Sequence, residues 1–213
     1  MPLLWELVIA SAALALLLGY HLWYALELKR RPLATSLGRN NRIRRLWLEH
    51  VIARGADILA VQTLRNWTMA ATFLASTAIV LALGLMSVAL TSDALTQLKY
   101  GLDPLASQHE HLTTLKALAI VLLLLGVFIC FTLSLRYYNH AGFLINAPLD
   151  QDADVTIDTA FHAVSRGAGA YNLGMRGWYL ALPLILWLLG PLWLLGSAVV
   201  MTAIVHRLDH EPG

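Results

Sequence analysis

Two polar stripes stand out in an otherwise apolar chain, and each is centred on an arginine. At about 100° per residue, Gln62, Arg65, Asn66, Thr72 and Ser76 fall within roughly a third of a helix circumference. Thr132, Arg136, Asn139, His140 and Asn146 do the same on a second helical run. Guanidinium, amide and imidazole donors gathered at one depth suit an anion such as a carboxylate, phosphate, halide or lipid head group. Tyr20 and His21 reach that depth from an earlier run, and Asn172 and Arg176 from a later one. The candidate ligand set is therefore Gln62, Arg65, Asn66, Arg136, Asn139, His140, Asn172 and Arg176. Thr72, Ser76 and Thr132 would continue it as a polar path. A plainer account competes. Arginines near helix ends snorkel to the interface, hydroxyl residues join helices, and Glu27, Glu49 and Asp57 can lock the arginines in ion pairs.

The elements that must position these residues are membrane helices. The chain is 58% apolar and only 13% charged, far from the usual soluble domain. Four runs with almost no charge, at about 3–26, 67–90, 115–135 and 178–205, are long enough to cross ~30 Å of hydrocarbon as helices. The connections leave no room for a separate soluble domain, so residues 1–213 form one transmembrane domain. The first run has no basic start and no small-residue cleavage pattern; it reads as a retained helix anchored by Trp5, Trp23 and Tyr24. Lys29, Arg30, Arg31, Arg39, Arg42, Arg44, Arg45, Arg54 and Arg65 crowd the first connection, while the second holds only Lys99 and Lys116 at its edges. Basic residues collect on the cytoplasmic side. The expected topology is a multi-pass protein of a bacterial-type inner (plasma) membrane with both termini outside.

The fold class is all-α, an integral membrane four-helix bundle. From Asp57, which reads as an N-cap, the second spanning helix runs on for roughly 50 Å, and the third continues past Arg136 to Asn146. Both should extend into the cytoplasm. The stretch from Leu46 to Ala53 has interfacial character. A short amphipathic helix follows a cap at Asp154, with Ile157, Phe161, Val164 and Ala168 at helical spacing, and Gly167, Gly169 and Gly174 interrupt it. Pro183 and Gly190-Pro191 predict kinks within the last span. Ala10, Ala13, Ala71, Ala75, Ala78 and Ala82 offer small-residue faces for a homo-oligomer.

Other chemistries find little support. No Asp or Glu lies in the middle of a span, which argues against a cation-coupled carrier and leaves an anion pathway open. Cys130 is alone and reads as an apolar filler. His109-Glu-His111 and His206/His210 fall on the expected outer side, where solvated histidines are commoner than a shared metal. A haem between His21 and His140 lacks supporting spacing. No nucleophile elbow, phosphate loop or zinc-protease signature is present, so no catalytic residue, metal or cofactor is assigned and nothing points to nucleic acid.

Three runs carry a resemblance: Leu59-Ala-Val-Gln-Thr-Leu-Arg-Asn; Ser134-Leu-Arg-Tyr-Tyr-Asn-His with Ile145-Asn-Ala-Pro; and Tyr171-Asn-Leu-Gly-Met-Arg-Gly-Trp-Tyr-Leu-Ala-Leu-Pro with Trp187-Leu-Leu-Gly-Pro. On these the chain resembles the membrane family catalogued as domain of unknown function 599. The resemblance implies four membrane helices and no assigned activity. The leading expectation is permeation or transport of a small anion by an oligomer. The alternative is a non-catalytic scaffold or accessory subunit that binds a partner complex, or anionic lipid through the basic first connection.

Overall fold

Long uncharged runs bounded by polar ends become helices that satisfy their own backbones. The computed structural model describes residues 2–91, 110–148 and 155–210. Among these are six α-helices: α1 Pro2–Arg30, α2 Ser36–Arg54, α3 Asp57–Thr91, α4 Glu110–Asn146, α5 Ile157–Trp187 and α6 Pro191–His210, with a 3-10 turn at Pro32–Ala34. Four segments are long and apolar enough to cross a membrane: Leu4–Arg30, Ile58–Val88, Leu112–Asn146 and Pro191–His210. Large apolar side chains cover their outer faces, Phe73 being 73% exposed. A water-soluble surface rarely shows so much contiguous apolar area. With 35 and 37 residues, α3 and α4 measure roughly 50–55 Å, well beyond the ~30 Å hydrocarbon layer.

Helix α4 is the spine, with α3 and α5 antiparallel on either side. Towards α3, Ala71, Ala75 and Ala78 pack on Val127 and Phe131, and Trp67 meets Tyr138 at 5.3 Å. Towards α5, the register runs from Ile145 beside Ala160, through a bond from Ser134 Oγ to the Gly167 carbonyl (2.9 Å), to Lys116 over the Trp187 ring. Glycines set this closeness: a Cβ at Gly177 would lie 2.3 Å from Val127 Cγ2, and one at Gly167 2.7 Å from the Tyr138 ring. Thus Gly167 and Gly174 lie inside one 31-residue helix where the sequence predicts interruptions. Contact with α4 outweighs their low helix propensity. The helix is capped by Thr156, which exchanges bonds with Thr159; Asp154, the expected cap, lies outside the described residues.

The expected fourth span is two elements. Leu188–Gly190 reverses the chain: Gly190 has φ of 152° and Pro191 opens α6. The Gly-Pro step is therefore a hairpin corner and not a kink. Helix α6 returns antiparallel to α5 and parallel to α1, with Leu194 and Ala198 on Ala10, Ala13 and Leu17. At its far end Asp209 meets Tyr20. The start of α1 and the end of α6 consequently lie at opposite ends of the described bundle. The alanine faces are also consumed within the chain, on α4 and α6, and so give no support to an oligomer.

Helix α2 closes one end. Thr35 caps it by accepting from the Gly38 N–H (3.3 Å), and Gly55 ends it in the left-handed region with φ of 60°. A Cβ at Gly38 would strike the Pro32 carbonyl oxygen at 1.9 Å, so the 3-10 turn needs glycine there. Leu48 and Val51 bury against Leu64, Tyr138, Ala141 and Val164, docking α2 beneath α3, α4 and α5. Arg45 bonds Glu49 (3.0 Å) and Asp158 (2.8 Å) on the exposed rim.

Candidate anion-binding site

Arg176 projects from α5 and is only 8% exposed. The hairpin brings Asp209 of α6 to it, with Arg176 Nη2 donating to Oδ1 (2.6 Å) and Oδ2 (2.7 Å). Tyr20 of α1 donates its hydroxyl to Asp209 Oδ2 at 2.6 Å, and the Tyr24 ring stacks under the guanidinium at 3.7 Å. Three helices are thereby tied together by one charged pair. The carboxylate is well served, with two donor groups. The guanidinium is not: Nε and Nη1 are buried without an acceptor. A buried charged donor lacking an acceptor is costly and marks a place for a water, an ion or a ligand.

A cleft of about 280 Å³ lies against this pair, between α2, α5 and α6. Asn40, Arg44, Tyr171, Asn172 and Tyr179 line it beside Arg176 and Asp209. Arg44 Nη1 donates to Asn41 Oδ1 at 2.7 Å, and partial burial lowers its pKa from the ordinary arginine value. Burial penalises the charged form, so an anion in the cleft would restore what Arg44 has lost. Two guanidiniums, two amides and the three phenols of Tyr138, Tyr171 and Tyr179 around one carboxylate make a wall rich in donors.

The other residues singled out in the sequence divide among separate places. Arg65, Asn139 and Asn146 share a groove of about 700 Å³ between α3 and α4, with Phe143 on its wall. Gln62, Asn66 and Arg136 are exposed. His140 faces a different groove, between α4 and α5, beside His162 and Arg166. Thr72 and Thr132 donate to the carbonyls of Thr68 (2.9 Å) and Ile129 (2.8 Å) on their own helices, and Ser76 is exposed. Only Asn172 and Arg176 of the candidate ligand set line the buried site.

Asp209, Tyr24, Tyr171 and Tyr179 are the members that sequence reasoning missed, and Arg44 enters it only among the basic residues of the first connection. A single span over 178–205 would place Asp209 on the opposite side from Arg176, so nothing in the order of residues joined them. His206 and His210 share that fate. Their rings lie 4.5 Å apart, and His210 Nε2 is 3.6 Å from Glu27 Oε2, at the end where α1 leaves the apolar layer. His109, which the sequence sets beside them as a candidate metal ligand, lies outside the described residues. His21 Nδ1 bonds the Leu17 carbonyl (2.8 Å) on α1, and His140 faces the α4–α5 groove.

Fold and site together define an all-helical, membrane-type protein whose later helices carry a buried arginine–aspartate pair. The chain belongs to the family described as Protein of unknown function, DUF599, whose family model matches residues 8–212. No curated protein and no solved structure matches it.

Proposed function

We propose that this protein binds an anion from the side of the membrane on which α2 lies, in the cleft walled by Arg176 and Arg44. The observation that carries the reading is the pair of buried Arg176 nitrogens without acceptors beside a donor-lined cleft. The basic residues of α2 and its flanks support reading that side as the cytoplasmic face of an inner (plasma) membrane. The long inner ends of α3 and α4 then project into the cytoplasm. Binding to the native state raises its melting temperature. At constant ionic strength, inorganic phosphate should raise the melting temperature of the detergent-solubilised protein, and Arg44→Gln should remove most of that rise. No rise in the wild-type protein contradicts the reading.

A second reading, permeation of a small anion, draws on the gathering of Arg65, Asn139 and Asn146 in the α3–α4 groove. That groove is open on one side, so a path there requires several copies of the chain to enclose it. Arg65→Gln with Arg136→Gln should then abolish anion flux into vesicles while assembly is unchanged. Equal flux in the double variant removes this reading.

A further inference from the structure

Beside the polar cleft is a second cavity of opposite character. A crevice of about 730 Å³ runs between α1 and α4, with α5 as its floor. Leu122, Gly126, Cys130, Leu173 and Leu28 give it apolar walls, and its size lies within the usual ~300–1,000 Å³ of ligand pockets. The two cavities share Asn172 and Arg176 in their common wall.

Leu28 of α1 and Leu37 of α2 line the crevice together with Gly126 of α4 and Gly169 of α5. The two glycines offer no side chain, and a Cβ at either would meet nothing within 4 Å. The polar end carries His21 as well as Arg176. Because His21 Nδ1 donates to the Leu17 carbonyl, its Nε2 is left as a buried acceptor with no partner. The site therefore combines an apolar slot, an arginine with spare donors and one spare acceptor.

We propose that this crevice binds one anionic phospholipid of the leaflet on the α2 side, with its phosphate at Arg176 and Asn172. One acyl chain lies along Gly126 between α1 and α4. A head-group hydroxyl can donate to His21 Nε2. Depth agrees with this placement, because Arg176 lies level with Tyr24, at the end of the first apolar run, and the slot extends from there towards mid-membrane. The inference rests on the anion-site reading and names its ligand.

The test is native mass spectrometry of the delipidated protein titrated with phosphatidylglycerol or phosphatidylcholine, with inorganic phosphate as the free-anion probe. One phosphatidylglycerol should bind per chain, about tenfold more tightly than phosphatidylcholine. Gly126→Leu fills the slot with a side chain that has room, so it should fold normally and lose the lipid while keeping the thermal shift with phosphate. Equal binding of the two lipids, or lipid binding unchanged by Gly126→Leu, overturns the proposal. A phosphate shift without lipid binding rejects the lipid and leaves the anion site standing. Absence of both responses rejects both.

Discussion

At the scale of single residues, the structure turns on an ion pair that is costly to break and cheap to replace. Arg176 and Asp209 have side chains only about a tenth exposed. Removing one partner leaves a buried charge uncompensated, typically a loss of about 3–5 kcal/mol. Arg176→Gln and Asp209→Leu should each lower thermal stability in detergent strongly. Arg176→Met combined with Asp209→Leu should return most of it, because an apolar pair of similar volume is often near neutral. The restored double variant should still show no thermal response to phosphate. Recovery of that response would mean that the anion binds elsewhere. Sequence reasoning found Arg176 and Asn172 because polar groups next to an apolar run are conspicuous. It could not find Asp209, since an acid near a chain end is ordinary until the fold returns it to the bundle.

At the scale of elements, α5 is the helix that the sequence concealed. Its glycines and polar residues dilute the apolar signal, and the stretch reads as a short surface helix followed by a break. A helix whose face is covered by protein has no need of an apolar surface there, and glycine serves to bring it close. Gly177→Ala places a methyl 2.3 Å from Val127, whose β-branch gives it little freedom to turn away. The substitution should cost about 1–3 kcal/mol, the usual penalty of overpacking, and should weaken α4–α5 pairing. Gly169→Ala on the same helix meets open space and should be neutral or stabilising by about 0.5–1 kcal/mol, the ordinary helix gain over glycine. Thermal unfolding of the two variants separates close packing from generic glycine effects; equal responses would argue against the register. By contrast, α1, α3 and α4 were legible because unbroken apolar length is the strongest signal that a membrane helix gives. The α5–α6 corner is half legible: Gly190-Pro191 predicts a kink within one span, but a kink and a reversal share the same residues, and packing on α1 decides between them.

At the scale of the whole molecule, the reversal changes which residues meet. With α5 and α6 as a hairpin, the C-terminal end of α6 lies beside Tyr20, Trp23 and Glu27, at the end of the bundle bearing the basic α2. The polar site follows from that return, since neither Arg176 nor Asp209 is matched without it. The alanine stripes are used up inside the chain. The most direct test is the sidedness of the two chain ends in intact cells. In a Cys130→Ser background, a single cysteine in an N-terminal tag and a single cysteine appended after Gly213 are treated separately with a membrane-impermeant maleimide. Opposite outcomes are expected, with the N-terminal cysteine labelled and the C-terminal one protected until lysis. If both are labelled in intact cells, α5 and α6 form one span, Asp209 lies across the membrane from Arg176, and the anion site does not exist.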